Sequence, residues 1–178
     1  METMDVIKSR RSIRKFKSDR IPRDLLENII LAASYAPSWK NTQVTRYTAF
    51  ENEDLKKEIS LYCGPDFNKR IISGAPVVLA LSVVKNRSGY ERDGAFSTLK
   101  GKGWEMFDCG VASQTLCLAA HDYGLGTVIL GFLDYDKVSS ILNLPKDEEL
   151  IALIAIGYPD EVPVMPKRKG LKDIFKIY

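Results

Sequence analysis

This chain of 178 residues has little of what the commoner catalytic and structural devices need. It has one histidine, His121, so neither a His-rich metal site nor a Ser-His-Asp triad has much to work with. Its three cysteines, Cys63, Cys109 and Cys117, are odd in number and scattered, with no C-x-x-C pair. That excludes a disulfide framework and points to a reducing, cytoplasmic setting in which the thiols serve as small apolar residues. No apolar run reaches the roughly 18–20 residues of a membrane span. The opening Met1-Glu2-Thr3-Met4-Asp5 is acidic and lacks an apolar run, so no secretory signal is expected. Repeats, low-complexity tracts and Pro/Ser-rich linkers are also missing, and the expectation is a single domain over residues 1–178.

What is present suits a packed core. Hydrophobic residues make up 45% of the chain and charged residues 28%, which excludes wholesale disorder. Leu25, Leu26, Ile29, Ile30 and Ala33 recur at helical spacing after Pro22 and stop near Tyr35, before Pro37. Val44 to Phe50 reads as a strand, and Asn52 caps a helix from Glu53 to about Tyr62. Pro76 to Val84 is apolar and β-branched almost throughout, as in a strand buried on both faces. Residues 85–103 hold four glycines among charges and aromatics and read as a mobile, lid-like excursion. The longest helix runs from Trp104 to Tyr123, with Gly124 at the left-handed position beyond its end. Further strands are expected at Thr127 to Leu130 and Leu150 to Ile156, with an Asp134-capped helix between them. Strands alternating with helices predict an α+β (α/β-like) fold: a central mixed sheet sandwiched between helices.

Candidate functional residues are few, and each has a plain alternative. Arg10-Arg11-Ser12-x-Arg14 can grip a phosphate, because guanidinium groups present planar forks of donors; it can equally be a solvated basic face. Lys167-Arg168-Lys169 is a second basic group far along the chain, and the sequence does not show whether the two meet. Pro37 to Gln43 offers Ser38, Trp39, Asn41 and Gln43, whose donors and acceptors suit the mixed edge of a heteroaromatic ring or an ordinary capped turn. Gly124-Leu125-Gly126 is no dinucleotide fingerprint, since it lacks a third glycine and follows a helix; Gly101-Lys102-Gly103 is no phosphate-binding Walker loop. His121 falls near a helix C-terminus, where the dipole favours a partly charged ring. Tyr90, Phe96 and Trp104 are lid aromatics or simple anchors.

Taken in order, these pieces resemble the nitroreductase family of FMN-dependent oxidoreductases nearly end to end. The resemblance rests on Arg10-Arg11-Ser12-x-Arg14, Pro37-Ser38-x-x-Asn41-x-Gln43, and Ala75-Pro76-Val77-Val78. It continues through Asp108-x-Gly110-x-Ala112-x-Gln114-x-Leu116, Gly124-Leu125-Gly126-Thr127, Leu130-Gly131 and Gly157-Tyr158-Pro159. It implies that Arg10, Arg11, Ser12 and Arg14, with Arg168 and Lys169 and with Lys167 as a possible addition, hold the FMN phosphate and ribityl chain. It also implies that Ser38, Trp39, Asn41 and Gln43 reach the flavin of a partner subunit, and that backbone N–H groups around Leu130, Gly131 and Phe132 lie near flavin N5. An obligate homodimer with FMN at the interface follows, with the apolar C-terminal arm, Ile174 to Tyr178, pairing with the partner's sheet. Val44-Thr45 stand where relatives often carry Pro-Trp, and Phe132 stands where many have a second glycine.

The same resemblance implies ping-pong chemistry: NADH or NADPH reduces FMN and leaves, and a nitroaromatic, quinone or similar acceptor then takes its place. Nicotinamide need only stack on the flavin, which fits the missing dinucleotide cradle. A specialised flavin reaction, such as dehalogenation or flavin fragmentation, and a flavin-binding redox sensor are the alternatives. Nucleic-acid binding draws only on the basic ends, with no recognised motif beside them, and is not expected. The formal charge of +3 hides that unevenness. Residues 8–23 carry eight basic side chains against Asp19, a net +7, and residues 167–178 carry +4, which leaves −8 for the rest. Such a distribution suits a local anionic ligand better than a long polyanion.

Overall fold

The computed structural model describes residues 2–178. Helices α1 (Thr3–Ser9) and α2 (Arg23–Ser34) precede strand β1 (Thr45–Phe50), followed by α3 (Glu53–Ser60), α4 (Asp66–Gly74) and β2 (Val77–Val84). The long α5 (Gly103–Asp122), β3 (Gly126–Leu130), α6 (Tyr135–Ile141), β4 (Glu148–Gly157) and the single turn α7 (Leu171–Ile174) complete the chain. The strands lie in the order β1-β2-β4-β3. All three pairings are antiparallel, so the sheet is mixed only through a parallel bridge of Ser12 beside Thr127 at its β3 edge.

Burial on both faces explains why β2 lacks polar alternation: all of it but Ser82 is apolar, and the strand has helices above and below. On one face Leu79, Leu81, Ile154 and Ile156 meet Ile29 and Ala33 of α2 and Cys109, Leu116 and Ala120 of α5. On the other, Val78, Ala80, Leu153 and Ala155 meet Ile59 of α3, Ile71 and Ile72 of α4, and Val138 of α6. A β-bulge lies between these faces. Leu81 pairs with Ala152 while Ser82 pairs with Leu150, so Ile151 is the extra residue. The insertion turns Leu150 into the second core and leaves Ile151 against the first, as the period of two requires.

The helix ends are set by side chains. Asn52 Oδ1 accepts the Leu55 N–H at 2.9 Å, and Asp134 Oδ1 accepts the Lys137 N–H at 3.0 Å. Gly124 has φ +79 beyond α5, where a side chain would be strained. Helix α4 carries no strong sequence signal, because Asn68, Lys69 and Arg70 interrupt Phe67, Ile71 and Ile72 within nine residues. The segment at 85–103 consists of turns. Ser88 Oγ donates to Asp108 at 2.6 Å, the Trp104 indole N–H donates to Thr98 Oγ1 at 2.9 Å, and the Tyr90 and Phe96 rings lie 4.9 Å apart. Among the described residues no helix is long and apolar enough to cross a membrane.

Candidate functional site

The basic segment after α1 is positioned by main-chain pairing. The Ile13 N–H donates to the Thr127 carbonyl at 3.0 Å, which lays residues 10–14 along the outer edge of β3. This close approach needs Gly126. A Cβ there would stand 2.6 Å from Ile13 Cβ and nearer still to Ile13 Cγ1. Farther on, the chain pairs with its own C-terminal segment: Lys17 N–H donates to Tyr158 O at 2.9 Å and Asp160 N–H to Lys15 O at 3.0 Å. Glu161 Oε1 accepts the Arg14 N–H at 2.5 Å and the Lys15 N–H at 3.2 Å.

That pairing returns the tail to the N-terminal arginines. Arg10, Arg11, Ser12, Arg14 and Arg168 line one cleft of about 370 Å³, closed by Pro163, Val164 and Pro166. Arg11 spends part of its guanidinium on the Lys8 and Arg10 carbonyls, at 2.7 and 2.8 Å. Among the described residues, no carboxylate side chain forms an ion pair with Arg10, Arg14 or Arg168. Four guanidinium groups and a hydroxyl around one small space form a donor set suited to a phosphate monoester. Lys167 and Lys169 are exposed and do not line this cleft. Arg14 also borders a second cleft of about 560 Å³ with Phe16, Phe67 and Arg70. Phe67 and Arg70 belong to α4, and sequence reading gives no sign of them.

Ser38, Trp39, Asn41 and Gln43 form a separate group. Lys40, Asn41 and Gln43 all have positive φ, at 45, 55 and 48, so this is a tightly wound loop and not a simple capped turn. Ser38 Oγ accepts the Gln43 N–H at 2.9 Å, and the Gln43 side-chain amide donates to Asn41 Oδ1 at 3.3 Å. The two exposed carboxamides therefore sit together. Trp39 turns inward, its ring 4.5 Å from that of Trp104, which in turn meets Phe107 at 5.5 Å. The Trp39 N–H donates to both oxygens of Asp108, at 3.1 and 3.0 Å. Lys40 pairs with Glu91 at 2.9 Å, so the loop, the 85–103 segment and α5 are tied at one place. Asp108 is the buried centre of that knot, and its role is invisible in the sequence. Ser38, Gln43, Arg46, Tyr47 and Asp108 border a small cleft of about 210 Å³, where burial pushes the Tyr47 hydroxyl up to about 12.

Leu130 ends β3, and Gly131 and Phe132 follow it. Leu130 is buried, the Gly131 carbonyl accepts the Tyr135 hydroxyl at 2.6 Å, and the Phe132 ring lies exposed against Gly64. Phe132, which stands where many relatives have glycine, is not among the residues with positive φ, so its side chain is accommodated without backbone strain. Its N–H has no acceptor among the described residues.

The arginines and the loop do not meet within one chain. They flank opposite edges of the sheet, β3 and β1. They also sit at opposite ends of α5. Asp108 holds the loop, whereas His121 bonds Ser9 beside Arg10, and the 13 helical steps from one to the other span about 20 Å at roughly 1.5 Å per residue. Partial burial and the neighbouring Arg10 and Arg11 lower the pKa of His121, with Asp122 opposing. The thiols are buried and free; burial pushes Cys63 to about 11 and Cys109 to about 12. Among the described residues no group of His, Cys, Asp or Glu side chains is suited to a metal ion.

Comparison with known proteins gives a consistent result. A model of the Nitroreductase family matches residues 7–69 and 64–158. The NADH dehydrogenase of Thermus thermophilus is 31% identical over 85% of this chain and 84% of its own length. The NADPH-flavin oxidoreductase of Vibrio harveyi is 27% identical over 93% and 69%, and the iodotyrosine deiodinase of Thermotoga neapolitana 26% over 88% of each. Among solved structures, a nitroreductase family protein from Clostridium novyi superposes with a TM-score of 0.79 at 29% identity, covering 90% of this chain and 87% of that one.

Proposed function

The chain belongs to the nitroreductase family and is an oxidoreductase, and on that premise we propose an FMN-dependent enzyme that accepts hydride from NADH or NADPH. In a second half-reaction at the same cleft it would reduce a nitroaromatic, quinone or related acceptor. One observation carries this reading: Arg10, Arg11, Ser12, Arg14 and Arg168, distant in sequence, converge on a space suited to one terminal phosphate. A bound flavin would supply the two-electron chemistry at its ring.

The chain's own residues bind and orient. Charge-assisted bonds from the arginine forks fix the phosphate, with Lys169 on the same tail as a further candidate contact. In the adjoining cleft Arg14, Lys15 and Arg70 outnumber Asp160 and Glu161, and the net positive lining favours a group that gains negative charge on reduction. The free Phe132 N–H, with the backbone of Leu130 and Gly131, is the donor proposed to face the ring. No protein acid or base is required for hydride transfer itself, which accords with a chain that has a single histidine.

The separation of loop and arginines supports a homodimer in which Ser38, Trp39, Asn41 and Gln43 of one copy complete the site of the other. The apolar arm at Ile174 to Tyr178, exposed throughout, would lie against that partner. We further take residues 1–178 as one functional unit of the cytoplasm, a setting consistent with three free thiols.

Purified protein should be yellow, and NADH or NADPH should bleach it anaerobically. The paired substitution Arg10→Ala and Arg14→Ala should keep the fold and weaken FMN binding by at least about 100-fold, since two charge-assisted bonds contribute roughly 3 kcal/mol or more. Unchanged affinity would place the phosphate elsewhere. The deiodinase relative favours a second reading, reductive dehalogenation on the same cofactor. Halide release from a halophenol panel, with no turnover of nitroaromatics or quinones, would select it.

A further inference from the structure

The residue before the basic segment is held by a group with no part in the reading above. Ser9 ends α1, and its hydroxyl lies 2.7 Å from Nε2 of His121, in the last turn of α5. The single Ser9 proton is committed to the Asp5 carbonyl at 2.6 Å. The second bond therefore runs from Nε2–H to Ser9 Oγ, which fixes the neutral ring as the Nε2–H tautomer with Nδ1 bare. Arg10 and Arg11 act on the ring from the basic segment and Asp122 from its own helix. Asp5 and Lys8 are the charged residues of α1, and Cys117 lies one turn back on α5, its thiol kept neutral by burial.

We propose that His121 is a positioning residue for the anion cleft, one that takes up a proton from solvent when a phosphate monoester enters beside Arg10 and Arg11. The proposal rests on the reading that this cleft holds the FMN phosphate. Without an anion, the two arginines oppose an imidazolium. A phosphate between them offsets that positive field, so an imidazolium is opposed less and the pKa of the ring rises. Protonation occurs at Nδ1, so the Nε2–H bond to Ser9 survives in both states. The anchor is kept and only a charge is added.

The direction of the linkage follows. Binding that raises the pKa of His121 must itself tighten as pH falls through the interval between the free and bound values. One unit of displacement corresponds to about tenfold in affinity. The phosphate of FMN titrates near pH 6 and pulls the opposite way, losing charge in acid. The histidine contribution must therefore be read as a difference between proteins that share the ligand. His121→Gln provides it, since a glutamine amide can still donate to Ser9 but cannot titrate.

The chain has one histidine, so a single imidazole signal reports on it in NMR. The flavin-loaded protein and the same protein stripped of flavin are titrated side by side, and the bound form should titrate about one unit higher. FMN dissociation constants for wild type and His121→Gln are then measured from pH 8 to 5.5. Their ratio should grow about 5–10-fold toward acid, and should stay constant when riboflavin, which lacks the phosphate, replaces FMN. FMN binding with an unmoved imidazole, or with a ratio independent of pH, overturns the proposal alone. Failure of FMN to bind at any pH overturns the underlying reading as well.

Discussion

Removing the carboxylate of Asp108 should release the loop at residues 38–43 from the body of the protein. This buried group accepts the Trp39 N–H through both oxygens and the Ser88 hydroxyl through one, at 2.6 Å. Asp108→Ala orphans two buried donors, each worth roughly 1–3 kcal/mol when left without a partner. The adjacent cleft admits water to part of that space, so a loss near the lower end, about 2–3 kcal/mol, is expected. For a domain of this size that is roughly 5–10 °C in Tm, measured at fixed protein concentration because association would shift it. Asp108→Asn keeps an oxygen for Ser88 but turns an amide N–H toward the Trp39 N–H, and should lose at least half as much. The assay is built in, since Trp39 and Trp104 are the only two tryptophans and their rings lie 4.5 Å apart. Undocking should shift their emission to the red before global unfolding. An Asp108→Ala protein within about 0.5 kcal/mol of wild type, with unchanged emission, would refute the assignment of Asp108 as the anchor.

Gly126→Ala should push Ile13 off the edge of β3, costing about 1–3 kcal/mol of stability and loosening FMN binding; a neutral outcome in both denaturant melts and flavin titration would contradict the close approach. Arg168→Ala should weaken FMN about tenfold, against twofold or less for Lys169→Ala, because only Arg168 lines the cleft. Equal losses would mean that the tail is arranged differently in the loaded protein. Buried thiols with raised pKa should resist a disulfide reagent at pH 8, so none of the three should react in the native state and all should in guanidinium. Fast labelling of Cys109 would indicate opening of the layer between α5 and the sheet.

Much of the fold is legible in the residues, for local reasons. Strand β2 declares itself because both its faces are covered, and Asn52, Asp134 and Gly124 mark helix ends through bonds or backbone angles that few other residues supply. Helix α4 does not, since its apolar positions are too few to establish a period. The parts of the site are legible as types: arginines for a phosphate, carboxamides for a ring edge. Their meeting is not. Arg168 reaches Arg10 and Arg14 through main-chain pairing of residues 15–17 with 158–160, and such bonds leave no side-chain signature. Asp108 and Arg70 are missed for a related reason, because an isolated charged residue in a helix looks alike whether it faces solvent, a buried loop or a cleft.

The distance along α5 between the arginines and the loop has a genetic consequence. If each site draws one half from each copy, a chain crippled in Arg10 and Arg14 and a chain crippled in the loop are defective in different halves. Mixed at random, about half of the dimers would carry one chain of each kind. In such a dimer one site collects both defects and the other collects neither. Two dead proteins refolded together should therefore recover about a quarter of the parental activity, and neither alone should recover any. Complementation between alleles would thus be a property of a single gene, written in the length of one helix.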